Sequence, residues 1–166
     1  MQNQGEYTWR NYRVRGIESD DVEACAMILD GKIKQASCKR IDGANGILLE
    51  IKRDDKYEII GFATWEIETG LVSVPVGFII NYKIDQKYAG TKGSLILSLV
   101  LFHEKLNGYS IYTSGHKPDS FKKMFKEKYV HGRSNKVFRF YKMKKEAINR
   151  LMKAKEKIQW EVNMQQ

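Results

Sequence analysis

Cysteine and proline each occur only twice in the 166 residues, and histidine three times. Cys25 and Cys38 make neither a CxxC pair nor a disulfide framework, and no Cys/His cluster has zinc spacing. A disulfide-stapled or zinc-organised scaffold is thereby excluded, and both cysteines read as small core hydrophobes. With Pro75 and Pro118 alone there is no proline-rich spacer, and no Gly/Ser linker, low-complexity tract or internal repeat divides the chain. The longest nearly apolar run, Leu95–Phe102, is broken by Ser98 and falls far short of the roughly 20 residues that span a bilayer. Met1–Arg10 is polar and offers no secretory signal. These absences lead to the expectation of one soluble, cytoplasmic globular protein with no membrane partner. At 42% hydrophobic, 11% aromatic and 30% charged residues the composition excludes wholesale disorder and leaves enough for a sizeable core.

What is present in excess is positive charge, and it is localised. The chain carries a formal net charge of +9; Lys117–Lys157 holds fifteen Lys/Arg against four Asp/Glu, while the rest holds fourteen against sixteen. A surface of one sign raises the encounter rate with polyanions, so the C-terminal part would attract nucleic acid, a phosphorylated cofactor or an acidic protein. The plain alternative is a solvated, lysine-rich surface.

Hydrophobic periodicity orders the rest. Tyr7–Arg15 reads as a strand. Ser19-Asp20-Asp21 supplies a capping hydroxyl and first-turn acids for a helix with Val22, Cys25, Ala26 and Leu29 on one face, stopping near Asp30-Gly31. Lys32–Arg40 fits either a short helix or a loop. Ile47–Ile51 and Tyr57–Glu68 form a hairpin across Arg53–Lys56, with Glu66 and Glu68 on one face of the second strand. Val72–Ile84 is β-rich, irregular at Pro75 and Gly77. Asp85–Ser94 is a loop opening into a helix, Leu95–Leu106, that is apolar nearly all round. Tyr109–Ser114 is the next strand, followed by a helix from about Ser120 to Lys128, a strand Val137–Met143, and a basic amphipathic helix Lys144–Val162 with Ile148, Leu151, Ile158 and Val162 as its stripe. The expected fold is α/β (α+β), a mixed and mostly antiparallel central sheet of six to seven strands with helices on both faces.

The segment most suggestive of chemistry is Phe78–Leu106, a strand, a glycine-bearing loop and a buried helix. A helix N-terminus leaves about four backbone N–H groups without intrahelical partners, and glycines let a phosphate approach them. Gly90, Thr91, Lys92, Gly93 and Ser94 suit a pyrophosphate. The loop is neither a Walker A sequence nor GxGxxG, and a structural turn explains it equally well.

The order of elements and this loop together resemble the GNAT superfamily of N-acetyltransferases, over roughly Tyr12–Met143. Tyr12-Arg13-Val14-Arg15 with Glu18-Ser19-Asp20-Asp21-Val22 is similar to the family's opening strand and helix, and Glu58-Ile59-Ile60-Gly61-Phe62-Ala63 to its third strand. Ile84–Ser94 sits where the family has its acyl-CoA pyrophosphate loop, usually Gln/Arg-x-x-Gly-x-Gly/Ala. The resemblance implies acetyl-CoA as cofactor, held by Tyr82, Ile84, Tyr88, Ala89, Gly90, Thr91, Lys92, Gly93 and Ser94, with its pantetheine arm between Val76–Ile84 and Tyr109–Ser114. It also implies an acyl-CoA-binding domain over 1–143, followed by the basic helical segment 144–166. Two positions depart from the pattern. Aligned on Gly90, Lys87 takes the Gln/Arg position and Lys92 stands where the second Gly/Ala is usual. Met124-Phe125 falls where a Phe-Tyr pair often provides the general acid, and a phenyl ring donates no proton.

Acyl transfer from a thioester to an amine needs a base, an N–H for the developing oxyanion and optionally an acid for the thiolate. Glu66 and Glu68 are the candidate bases, directly or through water, and the alternative is that they are plain surface carboxylates. Asn81 or Tyr82 would present the backbone N–H. Tyr129 is the candidate acid or else a core aromatic, and His116 and Ser114 are polar groups at the tip of a strand. His103, in the apolar helix, reads as structural, and no metal ligand set is expected. Two other readings keep the fold: a nucleic-acid-modifying protein similar to the phage Mom protein, and a non-catalytic binding or virion module docking through its C-terminal helix.

Overall fold

The computed structural model describes residues 5–88, 90, 92–114, 123–131 and 136–164. Its strands are β1 (Gly5–Trp9), β2 (Tyr12–Gly16), β3 (Asn45–Arg53), β4 (Lys56–Glu68), β5 (Val76–Ile84), β6 (Ile111–Thr113), β7 (Phe125–His131), β8 (Val137–Met143) and β9 (Glu161–Met164). They form one nine-stranded sheet in the order β7-β8-β6-β5-β4-β3-β2-β1-β9. Every pairing is antiparallel except β5 with β6.

The expected mixed, mostly antiparallel sheet is present, with more strands than the expected six to seven. Tyr7–Arg15 is a hairpin, not one strand: it reverses at Arg10, whose φ of 54° is the left-handed conformation a tight turn requires. No glycine or proline marks that turn. Phe125–His131 is a strand where Ser120–Lys128 suggested a helix, of which residues 120–122 lie outside the described residues. Its alternation of Phe125, Glu127 and Tyr129 with Lys126, Lys128 and Val130 is satisfied by pairing with β8. The last helix ends at Lys157 instead of Val162, because Ile158 turns extended and Trp160 packs edge-on against Tyr7, centroids 5.7 Å apart, laying β9 beside β1.

Helices cover both faces, as expected. α1 (Val22–Asp30) and α2 (Gln35–Asp42) lie on one, where Val22, Cys25, Ala26 and Ile41 pack on Leu48 and Phe62. α1 stops at Gly31, whose φ of 71° lets its N–H reach Met27 O at 2.8 Å. On the opposite face lie α3 (Lys92–Leu99), a π-helical continuation over Val100–Lys105, and α4 (Lys145–Lys157). Ile96, Leu97, Leu99, Val100 and Leu101 are fully buried there with Ile47, Leu49, Ala63 and Ile79, and Ala147, Leu151 and Ile158 join the same core. The all-round apolar character of α3 has this cause, since sheet lies beneath it and α4 beside it. No helix among the described residues is long and apolar enough to cross a membrane.

A charged network ties the first helix to the sheet. Arg15 donates to both carboxylate oxygens of Asp21 (2.7 and 2.9 Å) and to Glu50 (3.0 Å), which also accepts from Arg13 (2.7 Å). Asp21 accepts from the N–H of Glu18 (2.8 Å), so the helix entry is capped by this carboxylate and not by Ser19. Burial pushes the Asp21 carboxyl up, but the hydrogen bonds from Arg15 and Glu18 and the arginine charges outweigh it and hold it below its ordinary value.

Two outcomes follow for stability. Leu97→Ala and Leu99→Ala should each cost about 2–5 kcal/mol in chemical denaturation, and an unchanged midpoint would place α3 elsewhere. Because the folded Asp21 carboxyl lies below its unfolded value near 3.9, its contribution is present above about pH 4 and lost as pH falls through the folded value. Asp21→Asn should therefore lower stability at neutral pH and flatten the acid limb of the stability profile; an acid limb identical to that of the parent would exclude the network as its origin.

Candidate functional site

β5 and β6 touch over only three residues: Gly77, Phe78 and Ile79 stand opposite Ile111, Tyr112 and Thr113. The contact is fixed at one end by Gly77 N–H to Ser110 O (2.9 Å) and at the other by Thr113 Oγ1–H to Ile79 O (3.2 Å). Gly77 packs tightly there, since a Cβ would meet Leu106 Cδ2 at 3.0 Å and the leucine would have to give way. Immediately beyond, β5 is offset against β4: Trp65 faces Ile79 but Thr64 faces Asn81, which makes Ile80 the extra residue of a bulge. The β4–β5 ladder continues from there to Gly61 opposite Ile84, whereas the β5–β6 pairing among the described residues ends at Ile79 opposite Thr113.

The N-terminus of α3 follows the end of β5 after a short loop. Tyr88 N–H closes a turn on Asp85 O (2.8 Å), and Asp85 N–H bonds Ile60 O (2.7 Å), anchoring the loop to β4. Gly90 has a φ of 77°, and a Cβ on it would meet nothing within 4 Å. Gly93 is the opposite case: its Cβ would lie 2.9 Å from Tyr12 Cε1 and 3.2 Å from Leu49 Cδ2, so its smallness serves close helix-to-sheet packing. Tyr82 reaches across from β5, its hydroxyl donating to Ser94 O (3.0 Å) and lying 2.6 Å from Ser98 Oγ. Burial pushes this phenol up to about 12, so Tyr82 ties β5 to α3 and stays protonated.

Cations surround the loop. Arg10 lies 4.4 Å from the Trp9 ring and Lys92 Nζ 6.0 Å from the same ring; Arg53 and Lys87 lie 5.0 and 5.6 Å from the Tyr88 ring. They come from the β1–β2 turn, the β3–β4 turn and the β5–α3 loop. Antiparallel strands return these three connections to one end of the sheet. Glu58 answers one of them, lying 3.8 Å from Lys87 and accepting from the Tyr88 hydroxyl (3.2 Å); a helix N-terminus near the other three cations is suited to a polyanion with an aromatic or apolar part. Trp9, Arg10 and Arg53 were not singled out by the sequence, where they are ordinary turn residues; the only signal was the even number of antiparallel strands between them.

The remaining candidates are scattered. Glu66 is exposed opposite Phe78, on the α1 side of the sheet and next to the bulge. Glu68 stands opposite Val76, further from the bulge, and its carboxylate accepts the Gly70 N–H (3.2 Å). Asn81 lies at the bulge and donates from its amide to Thr64 Oγ1 (2.9 Å). Ile84 packs over Gly61. Ser114 is half-buried just past β6. Tyr129 sits on the edge strand β7, three strand spacings or about 14 Å from β5, and its hydroxyl donates to Glu127 (2.9 Å). That bond and the neighbouring carboxylate push its phenol up, and the structure does not bring it to β5. Phe125, where a catalytic tyrosine was sought, is buried in the core. Ala89, Thr91 and His116 lie outside the described residues. Among the described residues no group of three or more His, Cys, Asp or Glu is placed to hold a metal ion.

A scan against protein-family models finds none that matches this chain, and a search of curated proteins finds no match either.

Proposed function

We propose that the protein is an acyl-CoA-dependent N-acyltransferase of the GNAT type, taking acetyl-CoA as donor and an amine as acceptor. The observation that supports this reading is the end of the β5–β6 pairing at Ile79 together with a helix N-terminus near Arg10 and Lys92 at the end of the sheet where β5 finishes. A CoA ester is a long chain with phosphates at one end, and it calls for a narrow slot leading to an anion site. Gly90 leaves open space, α3 begins at Lys92, and Arg10 and Lys92 supply charge.

When bound, the thioester supplies the activated acyl group. Gly90, Lys92 and Gly93 would hold the phosphates through backbone N–H groups, and the β5 edge from Asn81 to Ile84 would align the arm. Glu66, exposed beside the bulge, removes the proton of the incoming ammonium, directly or through one water. No tyrosine is needed for the leaving group, because a thiol ionises near 8.5 and departs as thiolate at modest cost. The burial of Phe125 is thus compatible with turnover.

Titration calorimetry with acetyl-CoA tests the reading. Binding is expected for the parent protein, with Lys92→Glu and Arg10→Glu each weakening it about tenfold, or about 1.4 kcal/mol. Gly93→Ala should chiefly lower the melting temperature, since the new Cβ meets Tyr12 and Leu49. No heat of binding in the parent, or affinity indifferent to both charge reversals, would contradict the assignment.

A further inference from the structure

α1 and α2 cover the sheet over β3 and β4, and the same face continues past them across β5, β6, β8 and β7. Alternation fixes what stands there. Met143 and Phe125 point into the core on the α3 side, so Phe138, Phe140 and Lys142 of β8 and Lys126, Lys128 and Val130 of β7 share the α1 side. Phe78 of β5 stands on the same side, edge-on to Phe140 at 6.1 Å, with Phe138 6.4 Å from Phe140, while Tyr112 of β6 shares that side but is buried. Phe138 is 46% exposed, although a phenylalanine in water is unfavourable unless something covers it.

The charges point the same way. Lys126 stands directly opposite Lys142, a like-charged pair that costs stability unless an anion sits between the two. Among the described residues neither Lys126 nor Lys128 makes an ion pair. The reverse face of the same hairpin differs: there Glu127 takes the Tyr129 hydroxyl at 2.9 Å and faces Arg139 at 3.7 Å, so its charges are answered within the protein. From Lys126 the positive surface continues into a groove lined by Lys144, Lys145 and Arg150, with Glu146 as its single acid.

From this arrangement we propose that the face binds single-stranded nucleic acid, with bases stacked on Phe138 and Phe140 and phosphates held by Lys126, Lys128 and Lys142. The exposed Phe138 ring and the half-buried Phe140 ring beside it, interleaved with lysines, offer what an unpaired strand presents and a duplex conceals: base faces together with a charged backbone. An acidic peptide would satisfy the lysines and leave the rings uncovered. The inference goes beyond the acyl-transfer reading and does not depend on it, since the lysines and rings stand on the sheet face and not at the α3 N-terminus.

Fluorescence anisotropy with labelled twelve-residue oligo-dT and oligo-U, a duplex of equal length and a poly-glutamate peptide, without acetyl-CoA and over a series of salt concentrations, tests this. The single strands should bind at least tenfold more tightly than duplex or peptide. Phe138→Leu keeps an apolar side chain at a largely exposed site, so folding should survive, and it should weaken single-strand binding about tenfold with the salt slope unchanged. Lys126→Glu with Lys128→Glu should flatten the slope of log affinity against log salt by about 1.4, at about 0.7 per phosphate contact. Absence of binding, equal affinity for duplex or peptide, or a Phe138→Leu variant that binds like the parent would each overturn the proposal.

Discussion

The three-residue parallel contact between β5 and β6 is the constraint on which the architecture turns. All other neighbours in the sheet are antiparallel, and antiparallel strands can be joined by tight turns; a parallel pair needs a crossover, and here α3 and its π-helical continuation provide it. The crossover must be apolar on every side, because it is held between the sheet and α4. It also obliges the N-terminus of α3 to lie at the end of the sheet where β5 finishes. Among the described residues β6 is three residues long and β5 nine, so their ladder stops well short of that end.

Charge is then distributed about this frame in two separate places. Arg10, Arg53, Lys87 and Lys92 gather at the end of the sheet because four antiparallel strands return their turns there. Lys126, Lys128 and Lys142 gather on one face because alternation along β7 and β8 puts them there. The buried network of Arg13, Arg15, Asp21 and Glu50 is different in kind, with each charge answered at 3.0 Å or less. Buried charges must be paired, whereas at the exposed clusters only Lys87 has an acidic partner among the described residues, Glu58 at 3.8 Å.

What could be read in the sequence followed from local signals. The spacing of Val22, Cys25 and Ala26, the Asp-rich reversal at Arg53–Lys56 and the apolar run after Ser94, interrupted only by Ser98, each state their structure within a few residues. The strand nature of Phe125–His131 could not be read, because a short alternating segment is helix or strand according to whether a partner such as β8 lies beside it. Glu161–Met164 joined the sheet for a similar reason, through Trp160 against Tyr7. The loop glycines were legible as glycines but not in their roles: only the fold shows that Gly93 is small for Tyr12 and Leu49 while Gly90 faces open space. Tyr82 was expected as a cofactor contact, and its tie to Ser94 and Ser98 was not legible.

The central claim is that β5 beyond the end of its pairing with β6 and the N-terminus of α3 form one ligand site. Amide chemical-shift mapping of the labelled protein during titration with CoA tests it residue by residue. The largest shifts are expected at Ile80–Ile84 and at the amides of Gly90, Lys92, Gly93 and Ser94, saturating together with a single affinity. Shifts confined to the lysine-rich face of β7 and β8, or shifts at the loop without any along β5, would contradict it.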